Sequence, residues 1–193
     1  MKSSEISPVN LPIPEESRLV HQAKSGDSEA FAQLYDAYLE RVYRYVYFRV
    51  SDDQTAEDLA SQVFLKAWEG LDRYQMKGSP FVAWLYTIAH NLVIDHYRTH
   101  KDSVALEEIT PLASEDESLD EQVGVVFDLQ AMREALQFLN EEQQQVLILR
   151  FIAELPTENI AKVMGKREGA IRALQMRALQ MMAKHMQERK CYE

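Results

Sequence analysis

The stretch TENIAKVMGKREGAIRALQMR, residues 157–177, decides the fold of the second half of this chain. It predicts a short helix, a turn at Gly165 and a longer helix, because apolar residues recur at three- and four-residue spacing on both sides of the glycine. From Lys162 to Lys190 the chain carries eight basic residues against two acidic ones. A local charge of +6 on one helical unit indicates a surface that meets phosphates.

This pattern is typical of a helix-turn-helix, whose second helix presents its N-terminal residues to base edges in the major groove of DNA. The residues suited to locking the two helices together are small or apolar: Ile160, Ala161, Val163 and Ile171. Helical spacing puts Arg172 and Met176 on one face, with Arg177 beside them. The alternative is an αα-hairpin with a solvated basic face, and the pattern favours DNA binding over it.

The composition is that of a helical protein. Of 193 residues, 46% are hydrophobic, and Gly and Pro number six each, so an all-α fold is the prediction. The first residues lack the apolar core of a signal peptide, and no segment has the roughly 20 apolar residues that span a bilayer. A single cysteine, Cys191, excludes an internal disulfide and a cysteine zinc site. We therefore expect a cytoplasmic protein with no membrane insertion.

Acidic residues are concentrated in the middle of the chain. Of its 31 acidic side chains, which outweigh 21 basic ones to give a net charge of −10, eight lie between Asp102 and Glu121. Such a stretch, with Pro111 and no helical period, is typical of a linker. The sequence therefore predicts two small helical domains joined by an acidic linker. The expected boundaries are a flexible N-terminal segment at 1–14, a first domain at 15–101, the linker at 102–124 and a second domain at 125–193.

Local signals set the expected helices. Asp27 and Thr55 are each expected to cap a helix of the first domain, and Asn140 is expected to cap one in the second. A further helix of the first domain is expected from 81 to about 100. In the second domain, helices are expected at 125–139, 141–153, 157–165 and 167–187.

Three segments resemble bacterial RNA polymerase sigma factors. LNEEQQQVLILRF at 139–151, with the helix-turn-helix, resembles their fourth domain. In their second domain, AEDLASQVFLKAW at 56–68 resembles the polymerase-binding segment and PFVAWLYTIAHNLVID at 80–95 the promoter-melting segment. The resemblance covers roughly 15–101 and 127–186. With only two domains, the chain is similar to the extracytoplasmic-function (ECF) group. The resemblance implies a protein that directs core polymerase to specific promoters, and neither an enzyme nor a cofactor-binding protein.

For the polymerase, the resemblance implies contacts with the coiled coil of the largest subunit and with the flap. The residues expected at the coiled coil expose acids and an amide beside an apolar patch: Glu57, Asp58, Gln62, Leu65 and Trp68. The alternative is a capping pair of acids with ordinary core aromatics. Phe64 and Trp68 are expected to pack in the core, which leaves Asp58 and Gln62 as the favoured contacts.

For promoter DNA, the resemblance implies two separate contact surfaces. At the minus-ten element, Asn91 and the preceding loop would hold a flipped base, while Lys77 and Arg98 would follow phosphates. The expected minus-ten residues are Lys77, Ser79, Asn91, Arg98 and Lys101. The expected minus-thirty-five residues lie on the helix-turn-helix: Lys166, Arg167, Arg172, Ala173, Met176 and Arg177.

The sequence departs from the family in its basic clusters. After Asp95 it carries only Arg98 and Lys101 as permanent charges, together with His96 and His100, so duplex contacts there are expected to be weak or sensitive to pH. The two histidines lie four residues apart without a zincin glutamate, and no metal site is expected. The resemblance also implies an anti-sigma partner. An alternative function is a sigma-like decoy that sequesters an anti-sigma factor without binding DNA.

Overall fold

The computed structural model describes residues 15–50, 52–75, 79–104 and 132–190, and within these ranges it contains helices and turns but no strand. This confirms the all-α fold class. The segment 1–14, Lys77, most of the acidic linker and the beginning of the helix expected at 125–139 lie outside the described residues, as does the side chain of Lys101. Within the described part of the chain, no helix is both long and apolar enough to cross a membrane.

Four helices form the first domain: α1 (Glu16–Lys24), α2 (Ser28–Tyr47), α3 (Asp53–Gly70) and α4 (Phe81–Val104), with a 3₁₀ turn at Leu71–Arg73. Asp27 caps α2 as expected, because its carboxylate accepts hydrogen bonds from the backbone N–H groups of Glu29 and Ala30. The expected cap at Thr55 is wrong. Asp52 caps α3 instead, and accepts from the Thr55 N–H at 2.7 Å.

The core of the first domain is built on one face of α2. Leu34, Tyr38, Val42 and Tyr45 recur at three- and four-residue spacing and are fully buried. They meet α4 through paired aromatic rings, of which Tyr45 and Tyr86 have centroids 5.1 Å apart. The tyrosine-rich stretch of α2 is therefore largely core, with its remaining side chains on the surface.

The second domain contains a short helix at 132–137 (α5), then α6 (Glu141–Leu147), α7 (Thr157–Val163) and α8 (Glu168–Lys190). Asn140 caps α6 in a reciprocal capping box with Gln143. The helix expected at 141–153 is interrupted, because a wide turn at Ile148–Ile152 follows α6. In that turn the Ala153 N–H donates to the Ile148 carbonyl, five residues back.

The two domains pack against each other through α2 and α4 on one side and α5, α6 and α7 on the other. The Arg49 guanidinium lies 3.3 Å from the Glu141 carboxylate, and Gln145 Nε2 lies 2.7 Å from His90 Nδ1. From α5, Arg133 lies 4.3 Å from the centre of the Tyr47 ring and donates to the Val50 carbonyl. Buried apolar side chains of both domains also join in one continuous core cluster, so the interface combines polar contacts with apolar burial.

Candidate nucleic-acid interface

The turn between α7 and α8 fixes the geometry of the helix-turn-helix. Gly165 ends α7 in the left-handed region at φ +61, where a Cβ would be strained. The Gly165 N–H donates to the Lys162 carbonyl, and the Lys166 N–H donates to the Ala161 carbonyl at 2.9 Å. These two bonds form a Schellman motif, which satisfies the last carbonyls of α7 and reverses the chain.

Apolar contacts lock α7 against α8. Ile160 and Ile171 are fully buried, and Leu174 and Ala178 continue the same buried stripe along α8. This packing leaves the opposite face of α8 in solvent. The residues expected at the minus-thirty-five element follow that face, with Arg167, Arg172, Ala173, Met176 and Arg177 exposed and Lys166 half-buried.

The chemistry of this exposed face suits the major groove. Ala173 is small enough to let the helix approach closely, and Met176, which is 58% exposed, offers an apolar contact for a thymine methyl group. Arg172 and Arg177 flank them with planar donors that can meet guanine or phosphate. The Arg177 Nε donates to the Ala173 carbonyl at 3.3 Å.

Three cations of this unit are paired with carboxylates. Lys166 Nζ lies 2.8 Å from Glu142, Arg172 Nη2 lies 2.6 Å from Glu168, and Lys162 Nζ lies 2.8 Å from Glu158. The hydrogen bond from Lys162 lowers the pKa of the Glu158 carboxyl. The sequence pattern did not reveal the partner of Lys166, because Glu142 lies on another helix. The other two pairs could be predicted from the sequence, because their partners lie four residues apart on one helix.

The surface expected at the minus-ten element lies where α4 begins. Tyr74 stacks on Trp84 with centroids 4.8 Å apart and donates to the Ser79 carbonyl at 3.1 Å. Burial, and then the charge of Glu16, raise the pKa of Tyr74 to about 12. The two aromatic rings and Ser79 line an open cavity of about 220 Å³, into which Lys162 of α7 also projects.

The other expected minus-ten residues are more scattered. Asn91 is exposed further along α4. Arg98 is strongly exposed and pairs with Asp95 at 3.1 Å. The structure therefore brings Ser79 beside Tyr74 and Trp84, which are stacked on each other, and it places Asn91 and Arg98 further along the helix.

A third surface lies on α3. Glu57, Asp58 and Gln62 are exposed on it together with Leu65, which is 58% exposed. Phe64 is buried, as expected. Trp68 is only partly in the core, since it packs edge-on against Phe31 at 4.8 Å and keeps 39% of its surface in solvent. The expectation that Trp68 packs in the core is wrong for the exposed edge of its ring. That edge belongs to the acidic and apolar patch on α3.

The second domain carries an apolar groove that sequence analysis did not find. It has a volume of about 250 Å³ and is lined by Met132, Leu136, Leu147, Ile148, Phe151, Ile152, Leu179 and Met182. Phe151 is 54% exposed and Leu179 is 42% exposed. The sequence did contain an indication of this groove, because Leu179 is an apolar residue of α8 that falls outside its buried stripe.

The histidines of α4 are differently placed. His90 is half-buried, and burial followed by the charge of Arg49 lowers its pKa to about 4. The ring of His96 packs edge-on against Tyr97 at 5.6 Å. Across the described ranges there is no group of three or more His, Cys, Asp or Glu residues that could hold a metal ion.

Comparison with known proteins identifies both halves of the chain. The family model for sigma-70 region 2 matches residues 34–102, and the model for sigma-70 region 4 matches residues 129–182. The ECF RNA polymerase sigma factor BldN of Streptomyces coelicolor is 40% identical over 168 residues, which are 86% of this chain and 64% of that protein. SigD of Mycobacterium tuberculosis, also an ECF RNA polymerase sigma factor, is 33% identical over 84% of this chain and 79% of its own length.

Two solved structures are similar across both domains. CnrH, in complex with the cytosolic domain of CnrY, superposes with a TM-score of 0.71 at 21% identity, over 91% of this chain and 99% of CnrH. The sigma factor RpoE, in complex with the anti-sigma factor NepR from Bartonella quintana, has a TM-score of 0.66 at 26% identity, over 81% of this chain and 96% of its own. The first shows the fold alone. The two family models and the relatives BldN and SigD show that this chain belongs to the ECF group of RNA polymerase sigma factors.

Proposed function

We propose that this chain directs core RNA polymerase to a promoter by reading the minus-thirty-five element with α8. The observation that carries the proposal is the exposed face of α8, where Ala173 and Met176 lie between Arg172 and Arg177 on a locked helix-turn-helix. An arginine can pair with guanine, and a small or apolar side chain can meet a thymine methyl. Lys166 and Arg167, at the turn, would contact phosphate.

The minus-ten element would bind at the start of α4. Opening DNA exposes bases that must be captured in a pocket or stacked on aromatic rings, which is worth roughly 1–3 kcal/mol per base. The cavity beside Tyr74, Ser79 and Trp84 supports this assignment. Asn91 would then contact the displaced strand, and Lys77, Arg98 and Lys101 would follow its phosphates. Lys162 of α7 lines the same cavity, so a base that entered it in the docked molecule would lie against α7.

Two further surfaces would hold the polymerase. The exposed face of α3 joins acids to an apolar patch at Leu65 and Trp68, which suits a basic helical partner such as the coiled coil of the largest subunit. The apolar groove of the second domain suits an amphipathic helix, for which the polymerase flap is the proposed source. Both surfaces are available in the packed molecule.

Promoter binding requires the two domains to separate. The minus-ten and minus-thirty-five elements lie about 25 base pairs apart, or about 85 Å at 3.4 Å per step along one strand. In the structure the domains are in direct contact, since Arg49 and Glu141 are 3.3 Å apart. Residues 105–131, the 27 residues between the described parts of the two domains, could span at most about 90 Å if extended. The chain is therefore long enough for both domains to reach their elements.

We also propose that an anti-sigma factor binds this chain and that the protein acts at the nucleoid when it is bound to polymerase. The structural neighbour RpoE was solved with the anti-sigma factor NepR, which supports such a partner. The paired state of Lys162, Lys166 and Arg172 is the observation that favours the rival function, a decoy that binds the anti-sigma factor but not DNA.

Run-off transcription with bacterial core polymerase and a pool of promoter sequences tests the proposal. We expect initiation from a subset of the pool, with start sites that share upstream motifs. Reversing the charge of Arg172 and Arg177 to Glu should abolish promoter-specific transcription while core binding persists. As a matched control, charge reversal at the exposed Arg18 and Arg150 makes the same change in net charge away from α8. A chain that binds core polymerase but initiates from no promoter would support the decoy instead.

A further inference from the structure

We propose that Glu142, Glu158 and Glu168 are specificity determinants that suppress sequence-independent binding of the helix-turn-helix to DNA. This inference rests on the proposed function, in which α8 reads duplex DNA. Each acid pairs with one basic residue of the unit, at 2.8 Å for Glu142 and Lys166, 2.8 Å for Glu158 and Lys162, and 2.6 Å for Glu168 and Arg172.

The three acids come from three different helices around the same unit. Glu142 lies in the first turn of α6, Glu158 in the first turn of α7 and Glu168 in the first turn of α8. The pair between Glu142 and Lys166 joins α6 to the turn before α8, so the second domain folds to put a carboxylate against a turn cation. The positive charge counted along the sequence is thereby reduced at Lys166 and Arg172, on the surface that would meet DNA, and at Lys162, which lines the cavity beside α4.

Sequence-independent binding to DNA depends on this charge. Each phosphate that a lysine or arginine neutralises releases counterions and adds about 0.9 to the slope of log affinity against log salt concentration. A cation held by a carboxylate adds little until the pair separates, and the remaining carboxylate then repels the phosphate. Lys162, Lys166 and Arg172 should therefore contribute little to binding on random DNA.

A specific site places different demands on Arg172. A guanidinium has five N–H donors, and a bidentate contact with guanine O6 and N7 uses two of them. The remaining donors can stay with Glu168, so the pair can persist in the specific complex. On random DNA the arginine meets a phosphate instead, which carries a full negative charge that the Glu168 carboxylate repels, whereas the guanine edge is neutral. The carboxylate thus disfavours the non-specific complex more than the specific one, which raises the ratio of the two affinities.

The experiment compares two triple variants of the full chain that change net charge equally. The test variant is Glu142→Gln, Glu158→Gln and Glu168→Gln. The control variant is Glu29→Gln, Glu40→Gln and Glu134→Gln, at exposed positions elsewhere in the molecule. Fluorescence anisotropy would measure the affinity of each for a random duplex of about 20 base pairs across a salt titration. Circular dichroism would verify that all three proteins keep the same helix content.

We expect the salt slope of the test variant to be steeper than that of the parent by about 2.7, which is three further phosphates at about 0.9 each. Its affinity for random DNA at about 0.1 M salt should rise on the order of 100-fold. The control should keep the slope of the parent and gain only a few-fold. Equal slopes for the test variant and the parent would overturn the inference, as would an equal change in the control.

A second measurement separates this inference from the proposed function. In run-off transcription with core polymerase, Glu168→Gln should still initiate but should discriminate less between guanine and other bases at one position of the minus-thirty-five element. Undiminished discrimination would overturn the role of Glu168. If the parent itself initiates from no promoter, the proposed function fails, whereas the slope of the isolated chain on random DNA remains a direct test of the three pairs.

Discussion

Docking of the two domains should weaken as the pH falls, because His90 lies half-buried in the interface, where its neutral form is favoured. Gln145 Nε2 lies 2.7 Å from His90 Nδ1, so the amide donates and the ring nitrogen accepts. Burial, followed by the nearby charge of Arg49, lowers the pKa of His90 from 6.5 to about 4. The docked molecule therefore binds fewer protons at this site than the separated domains. Docking is strongest above pH 6.5 and is lost progressively as the pH falls toward 4.

The size of this effect follows from the two pKa values and from what changes on separation. Between pKa values of 6.5 and about 4, linkage removes at most about 2 kcal/mol of docking free energy by about pH 5. Arg49 and His90 belong to the same domain, so their repulsion persists after separation. Solvent also screens the partly exposed ring. About 1 kcal/mol remains, which corresponds to a roughly fivefold change in the docking equilibrium.

Energy transfer between dyes on the two domains would measure this change. Cysteines placed at the exposed Ser61 of α3 and Gln180 of α8, in a chain with Cys191→Ser, would carry the dyes. Transfer should fall from about pH 7.5 to about pH 5 in the parent and stay constant in His90→Gln. His21→Gln, at an exposed histidine of α1, should keep the response of the parent. A response that survives in His90→Gln, or a flat profile in the parent, would refute the reasoning.

Two more predictions concern the interface and the turn. Glu141→Gln should weaken docking about fivefold in the same assay, because the buried Arg49 loses its carboxylate partner. The Glu141 side chain is 60% exposed, so the ion pair contributes only about 1 kcal/mol. An unchanged docking equilibrium would contradict this. Gly165→Ala should lower the stability of the second domain to urea by about 1 kcal/mol, because φ is +61. Gly169→Ala, inside α8 with open space around it, should instead raise that stability by about 0.5–1 kcal/mol. Equal effects of the two substitutions would show that the backbone conformation at Gly165 does not cause the loss of stability.

Local signals were sufficient to predict most helices of this chain. Asp27 and Asn140 were recognised as caps because a short side chain with an acceptor oxygen precedes an amphipathic period. The same reasoning predicts Thr55 as the cap of α3, which is wrong. The structure uses Asp52 because its carboxylate reaches the Thr55 N–H at 2.7 Å, which places the cap three residues before that donor. Cap assignments from sequence are accurate in type and less accurate in position.

The surface charge of the helix-turn-helix was only half predictable. Counting basic residues located the unit correctly, because the excess is local in sequence. The count could not show that Lys166 meets Glu142 at 2.8 Å, since the two residues are 24 positions apart and lie on separate elements. The face of α8 was predictable from the helical period, but the charge it presents to DNA depends on tertiary contacts.

The docked arrangement of the domains was not predictable for a related reason. The amphipathic period of a helix reveals which face is buried through apolar side chains. Arg49, Glu141 and Arg133 instead make polar contacts across the interface, which that period does not predict. The polar part of the interface costs less to open than an apolar surface of the same area, because water replaces its hydrogen bonds and solvates its charges when the domains part. The proposed binding of the two domains to separate promoter elements is favoured by contacts of this kind. The contacts that the helical period does not predict are therefore the ones that water replaces when the domains part.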